Sequence, residues 1–117
     1  MQNKGSFRDK RIGELLKEEI MMIIFREIKD PRVENVSITD VVVAKDLSVA
    51  KVYVRTLLAE NKDDCLDGLN HSASFIRGKI MKSIRIKKVP HLEFFYDDTL
   101  DNALKIESLI REVNKDK

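Results

Sequence analysis

The sequence predicts an α+β sandwich in which helices pack mainly on one face of a small three-stranded sheet. Apolar residues recur every three to four positions near the start and again in the second half, which is helical spacing. β-Branched residues crowd two stretches joined by a short polar connection, which is hairpin chemistry. Scale agrees: 117 residues, 43% hydrophobic and 36% charged, suit one packed core under a charged surface. A single domain over 1–117 is expected, with an ordered core at about 7–113 and short frayed ends.

Taken in order, Ile12, Leu15, Leu16, Ile20, Ile23 and Ile24 mark the apolar face of a helix over about 7–28, with Ser6 as its N-cap. Asp30-Pro31 ends it, because the residue before a proline is pushed away from helical angles. Stretches 36–44 and 49–58 read as strands, and Lys45-Asp46-Leu47-Ser48 between them has hairpin length. In the second strand Ala50, Val52 and Val54 alternate with Lys51, Tyr53 and Arg55, so one face meets helices and the other solvent. In the first, Asp40 interrupts the series of Val36 and Ile38, an irregularity that a β-bulge would absorb.

Residues 63–72 read as a short helix with Leu66 and Leu69 inward. A further helix over about 75–86 sets Ile76, Ile80 and Ile84 against Lys79, Lys82 and Arg85 on the opposite side. Pro90 breaks the chain, 91–96 forms a last strand and 100–113 a last helix. The crossover between second and third strands is expected to be right-handed. The order α-β-β-α-α-β-α is that of a KH-like domain of the second topological type.

Several function classes are disfavoured. Cys65 is the only cysteine, so no intrachain disulfide forms, and a lone thiol suits a reducing compartment. No apolar run nears the ~20 residues of a membrane span, and the opening residues lack the apolar region of a secretory signal. A cytoplasmic protein is expected. His71 and His91 lie on different elements without metal-ligand neighbours, and no phosphate-binding glycine loop or nucleophile elbow occurs. Asp97-Asp98 reads as the cap and first-turn charge of the last helix, and Cys65, next to Asp64, as a packing residue with a raised pKa. No enzymatic activity, cofactor, metal or small-molecule substrate is expected.

Net charge is only +2, but it is unevenly spread. Between 75 and 90 stand Arg77, Lys79, Lys82, Arg85, Lys87 and Lys88 with no acid, whereas 60–69 holds Glu60, Asp63, Asp64 and Asp67 against Lys62. Most lysine-bearing helix faces are merely solvated. This one lacks balancing acids, continues past the helix and follows a glycine-poor bend, a pattern that suits RNA phosphates. Tyr53, on the outer sheet face, is the ring best placed for base stacking, so recognition should lean on phosphates and shape. Gly5, Gly13, Gly68 and Gly78 supply no Gly-x-x-Gly clamp, which disfavours a standard single-strand KH module.

An ordered set of short motifs then carries a family resemblance. Lys29-Asp30-Pro31-Arg32 is followed by Val36-Ser37-Ile38-Thr39-Asp40-Val41 and by Asp46-Leu47-Ser48-Val49-Ala50-Lys51-Val52-Tyr53-Val54. Phe75-Ile76-Arg77, Pro90-His91-Leu92-Glu93-Phe94, Asp97-Asp98-Thr99-Leu100 and Lys105-Ile106-Glu107-Ser108-Leu109-Ile110 come after. Together, over about 8–110, they resemble the ribosome-binding factor A family. The resemblance implies a monomeric KH-like domain without a cofactor, which binds the small (30S) ribosomal subunit near the decoding-region neck. It implies help with late maturation and processing of 16S rRNA, including the helix at its 5′ end, and support of growth in the cold. It also implies an interhelical kink built on Ala-x-Gly. Here the kink reads Ser72-Ala73-Ser74, Lys87 stands in place of a common arginine and Ala103 in place of a common glycine. The expected rRNA-facing set is Arg77, Lys79, Lys82, Arg85, Lys87 and Lys88 with Arg8, Lys10 and Arg11. Arg77 is read as a phosphate contact, with partnership to an acid as the alternative; Asp30 and Arg32 either lock a turn or touch RNA. Asp46 and Ser48 build the hairpin turn. Ribosomal proteins as further partners stay open, as do a general KH-like RNA-binding module and a protein-interaction domain using the exposed Val/Tyr sheet face.

Overall fold

The computed structural model describes residues 7–57, 59–86, 88–99 and 110. The expected last helix, the Ser6 cap and Lys87 lie outside the described residues.

Helix α1 (Phe7–Glu27) buries Leu16, Ile20, Ile23 and Ile24 on the expected face. A 3-10 turn, Pro31–Val33, follows it, capped by Asp30, whose carboxylate accepts the Arg32 N–H at 2.9 Å. Strands β1 (Val36–Val43) and β2 (Val49–Thr56) pair antiparallel, and β3 (His91–Tyr96) pairs parallel to β2, giving the sheet order β1-β2-β3. The hairpin turn is held by Asp46 Oδ1, which accepts from Ser48 N at 3.0 Å and Ser48 Oγ at 2.7 Å.

The expected bulge is present. Ile38 pairs with Val54 and Asp40 with Tyr53, so Thr39 is the extra residue. Its insertion flips the alternation: Ile38 faces the core, and beyond the bulge so do Val41 and Val43, while Asp40 stays outside. Without it, Asp40 would point into an apolar core, where an unpaired carboxylate is costly.

The expected pair of helices is instead one. Helix α2 (Lys62–Ser83) runs through Ser72-Ala73-Ser74 without a break. The segment holds no proline or glycine, alanine is the best helix former, and serine costs only a few tenths of a kcal/mol there, well under 1 kcal/mol. A break was expected from the apolar spacing of two segments and a kink from family likeness, but the local residues impose neither. The helix also ends earlier than expected. Ile84 is extended (φ −126, ψ 152), so Arg85 leaves the helix rather than continuing the three-residue stripe of Lys79 and Lys82.

Both helices cover the same sheet face. Leu16, Ile20, Ile23 and Ile24 from α1 and Cys65, Leu69, Ile76 and Ile80 from α2 form one cluster with Ile38, Val41, Ala50, Val52, Val54, Leu92 and Phe94. Two glycines set how closely the layers approach. A Cβ at Gly13 would stand 2.9 Å from Val41 O, and one at Gly68 2.8 Å from Val33 Cγ2. Gly13 therefore lets α1 lie against the free edge of β1. Asp40 Oδ1 accepts the Val41 N–H at 2.9 Å, so that edge is capped at the N–H of Val41 and covered by Gly13 at its carbonyl.

Candidate nucleic-acid interface

The topology gathers cations at one end. Ser83 Oγ donates to Glu19 Oε1 at 2.8 Å, and Lys79 Nζ lies 3.7 Å from Glu27 Oε1. The two helices are therefore antiparallel, with the end of α2 beside the middle of α1. Gly13 against Val41 and Val43 puts the first turns of α1 at the hairpin end of β1. The His91 N–H donates to Ser48 O at 3.0 Å, which brings the start of β3 to the same turn. The carboxyl of Asp46 is held below its usual range, first by the side-chain and backbone bonds from Ser48 and further by the charge of Lys88.

That end displays Lys10, Arg11, Lys82, Arg85 and Lys88, all exposed. Among the described residues no ion pair within 4 Å engages Lys82, Arg85 or Lys88, whereas Arg11 is already partnered. Lys45 in the exposed hairpin turn joins them. Sequence reading missed Lys45 because a lone lysine in a polar turn gives no periodic signal; its register beside Lys88 exists only after the strands pair. The acids of this end are Asp46, bonded to Ser48, Glu19, bonded to Ser83, and Glu14 and Glu18 on α1. Side chains at Arg8 and Lys87 lie outside the described residues.

Two members of the expected set have intramolecular work. Lys79 pairs loosely with Glu27 and lies 5.5 Å from the centroid of the Phe75 ring. Arg77 is half-buried: Nε donates to Val89 O at 3.1 Å and Pro90 O at 3.2 Å, and Nη2 to Val89 O at 2.8 Å. It ties α2 to the segment entering β3, a role that neither a phosphate contact nor an acid partner anticipates. Arg32 grips Asp30 through Nε and Nη2, the latter at 2.8 Å from Oδ2, and its hydrogen bonds hold the Asp30 carboxyl at about 2. The locked-turn reading of that pair is what the geometry contains.

Among the described residues no group of three or more His, Cys, Asp or Glu could hold a metal ion. Cys65 is fully buried, and burial pushes its thiol pKa up, which disfavours the reactive thiolate. Among the described residues no helix is long and apolar enough to cross a membrane.

A family model described as Ribosome-binding factor A matches residues 8–110. The chain belongs to that family. It is 45% identical over 114 residues to ribosome-binding factor A of Macrococcus caseolyticus, covering 96% of this chain and 99% of that one. In fold it is similar to the crystal structure of ribosome-binding factor A from Thermus thermophilus, with TM-score 0.69 and 25% identity over 75% of this chain and 93% of that one. It is also similar to a homology model of the Thermus thermophilus ribosome-binding factor A, fitted into a cryo-electron-microscopy map of a 30S complex. There the TM-score is 0.58 and the identity 25%, over 80% of this chain and 94% of that one.

Proposed function

We propose that this protein is a ribosome assembly factor that binds the small (30S) ribosomal subunit through phosphates of 16S rRNA and assists its late maturation and processing. The observation that carries the reading is the end bearing Lys10, Lys45, Lys82, Arg85 and Lys88, where no ion pair with a described carboxylate engages Lys82, Arg85 or Lys88. Family membership names the partner: the relative fitted into a 30S map shares this fold. Cations that have no carboxylate partner release counterions from RNA without first breaking an ion pair, so each contributes to affinity and to its salt dependence. The protein acts as a single-domain monomer in the cytoplasm, with no catalytic step and no cofactor, and supports growth in the cold. Lys10, Lys82, Arg85 and Lys88 are the contacts the described geometry favours, joined by Lys45. Arg77 supports their frame from behind.

Sucrose-gradient sedimentation of a lysate tests this. The protein should ride with free small subunits and be absent from mature ribosomes. Equal distribution over both would replace it with a general RNA-binding role.

A further inference from the structure

The sheet face turned away from the helices carries a feature that the cationic end does not explain. Tyr53 on β2 and Phe95 on β3 are direct register partners, both pointing outward, with ring centroids 5.8 Å apart and planes tilted by 31°. Phe95 is 39% exposed, although a phenyl ring of that size normally finds cover. Lys51 and Arg55 stand two residues to either side of Tyr53 on the same strand face. Lys51 Nζ lies 6.0 Å from the Phe95 centroid, and Arg55 Cζ and Lys62 Nζ lie 5.4 and 5.5 Å from that of the neighbouring Tyr96. Two exposed acids share this face: Asp40, the register partner of Tyr53, whose Oδ1 accepts the Val41 N–H, and Glu93, opposite Lys51 in register. Asp97 accepts from Thr39 and Thr99. Two adjacent rings on neighbouring strands, with Lys51 beside one of them, are complementary to unpaired bases joined by phosphates.

We infer that the open sheet face, through Phe95 and Tyr53 with Lys51 beside them, stacks unpaired bases of single-stranded RNA. This deepens the RNA-binding reading and rests on it: the cationic end would hold folded rRNA by its phosphates while the sheet takes a strand whose bases are exposed.

The chain has no tryptophan, so Phe95→Trp installs a sole indole reporter that can itself stack. Titrated with a single-stranded oligouridine, the full-length Phe95→Trp protein should show indole quenching and bind at least as tightly as wild type. Phe95→Leu, which keeps an apolar side chain, should bind about tenfold more weakly, and adding Tyr53→Leu should weaken it further. The slope of log affinity against log salt should stay that of wild type, because no cation is lost. Unchanged affinity in Phe95→Leu, with its native circular dichroism confirmed, would overturn the inference. So would an indole that stays unquenched at saturation. If both leucine variants bind oligouridine normally but lose the small subunit, the face meets a protein and the inference fails. Should wild type ride with the small subunit yet ignore oligouridine, the inference fails while the assembly-factor reading stands. Loss of small-subunit binding in wild type removes that reading itself.

Discussion

Asp97 shows how much one side chain can organise at the exit of the sheet. Its carboxylate accepts from Thr39 Oγ1 at 2.5 Å and from the Thr99 N–H at 2.9 Å, and its carbonyl accepts from Arg55 Nη1 at 2.8 Å. The bulge residue is thereby tied to the end of β3. Those bonds, that of Thr39 first, lower the Asp97 carboxyl from 3.8 to about 2. A lowered value in the folded state means that the fold prefers the ionised form. The stability gained is complete above the unfolded value of 3.8 and disappears as pH falls through about 2. Urea unfolding at pH 5 and at pH 2.5 should therefore show a smaller loss of stability in Asp97→Asn than in wild type; equal losses would mean that the Thr39–Asp97 bond is not formed in solution. Two glycines make a paired test by the same means at neutral pH. Gly13→Ala should destabilise by about 1–3 kcal/mol, because its Cβ would meet the Val41 carbonyl oxygen at 2.9 Å. Gly78→Ala, with nothing within 4 Å of a Cβ, should stabilise by about 0.5–1 kcal/mol through helix propensity.

At the scale of elements, much was legible because local chemistry decides it. The alternation of Ala50, Val52 and Val54 placed β2 correctly, and Asp40 in an apolar series announced the bulge before any pairing was known. Helix α2 was misread as two for a reason of the opposite kind. The two segments 63–72 and 75–86 were read as separate helices from their apolar spacing and the family likeness added a kink between them, while the residues at Ser72-Ala73-Ser74 permit a continuous ladder. Its end was misjudged because Ile84 keeps the apolar spacing after the backbone has already turned extended. Arg77 was opaque for another reason: its acceptors are main-chain carbonyls of Val89 and Pro90, and sequence carries no mark of a carbonyl left without a partner. Removing the guanidinium strips these half-buried groups of their donor. Arg77→Ala should cost about 1–3 kcal/mol in chemical unfolding, whereas Lys82→Ala and Arg85→Ala should stay within about 0.5 kcal/mol of wild type. A neutral Arg77→Ala would return that arginine to the RNA-facing set.

At the scale of the whole molecule, the fold converts a modest net charge of +2 into a polarised body. Its sequence-distant cations come from the first turn of α1, the hairpin turn and the segment after α2. They meet only because the helices are antiparallel and β3 starts beside the hairpin. The run of basic residues in 75–90 pointed to part of this surface. The start of α1 was in the expected set through Lys10 and Arg11, whereas the share contributed by Lys45 became visible only through topology, since nothing local links residues 45 and 88. Lys79 separates from the group, because its charge already faces Glu27. This gives the central claim an internal control. The decisive measurement is the affinity for purified small ribosomal subunits across a salt series, for wild type, a Lys82/Arg85/Lys88→Gln variant and Lys79→Gln. The triple variant should bind more weakly at low salt and lose about 2–3 units of the slope of log affinity against log salt, while Lys79→Gln should lose less than one. A triple variant with the slope and affinity of wild type would contradict the assignment of this cationic end to rRNA.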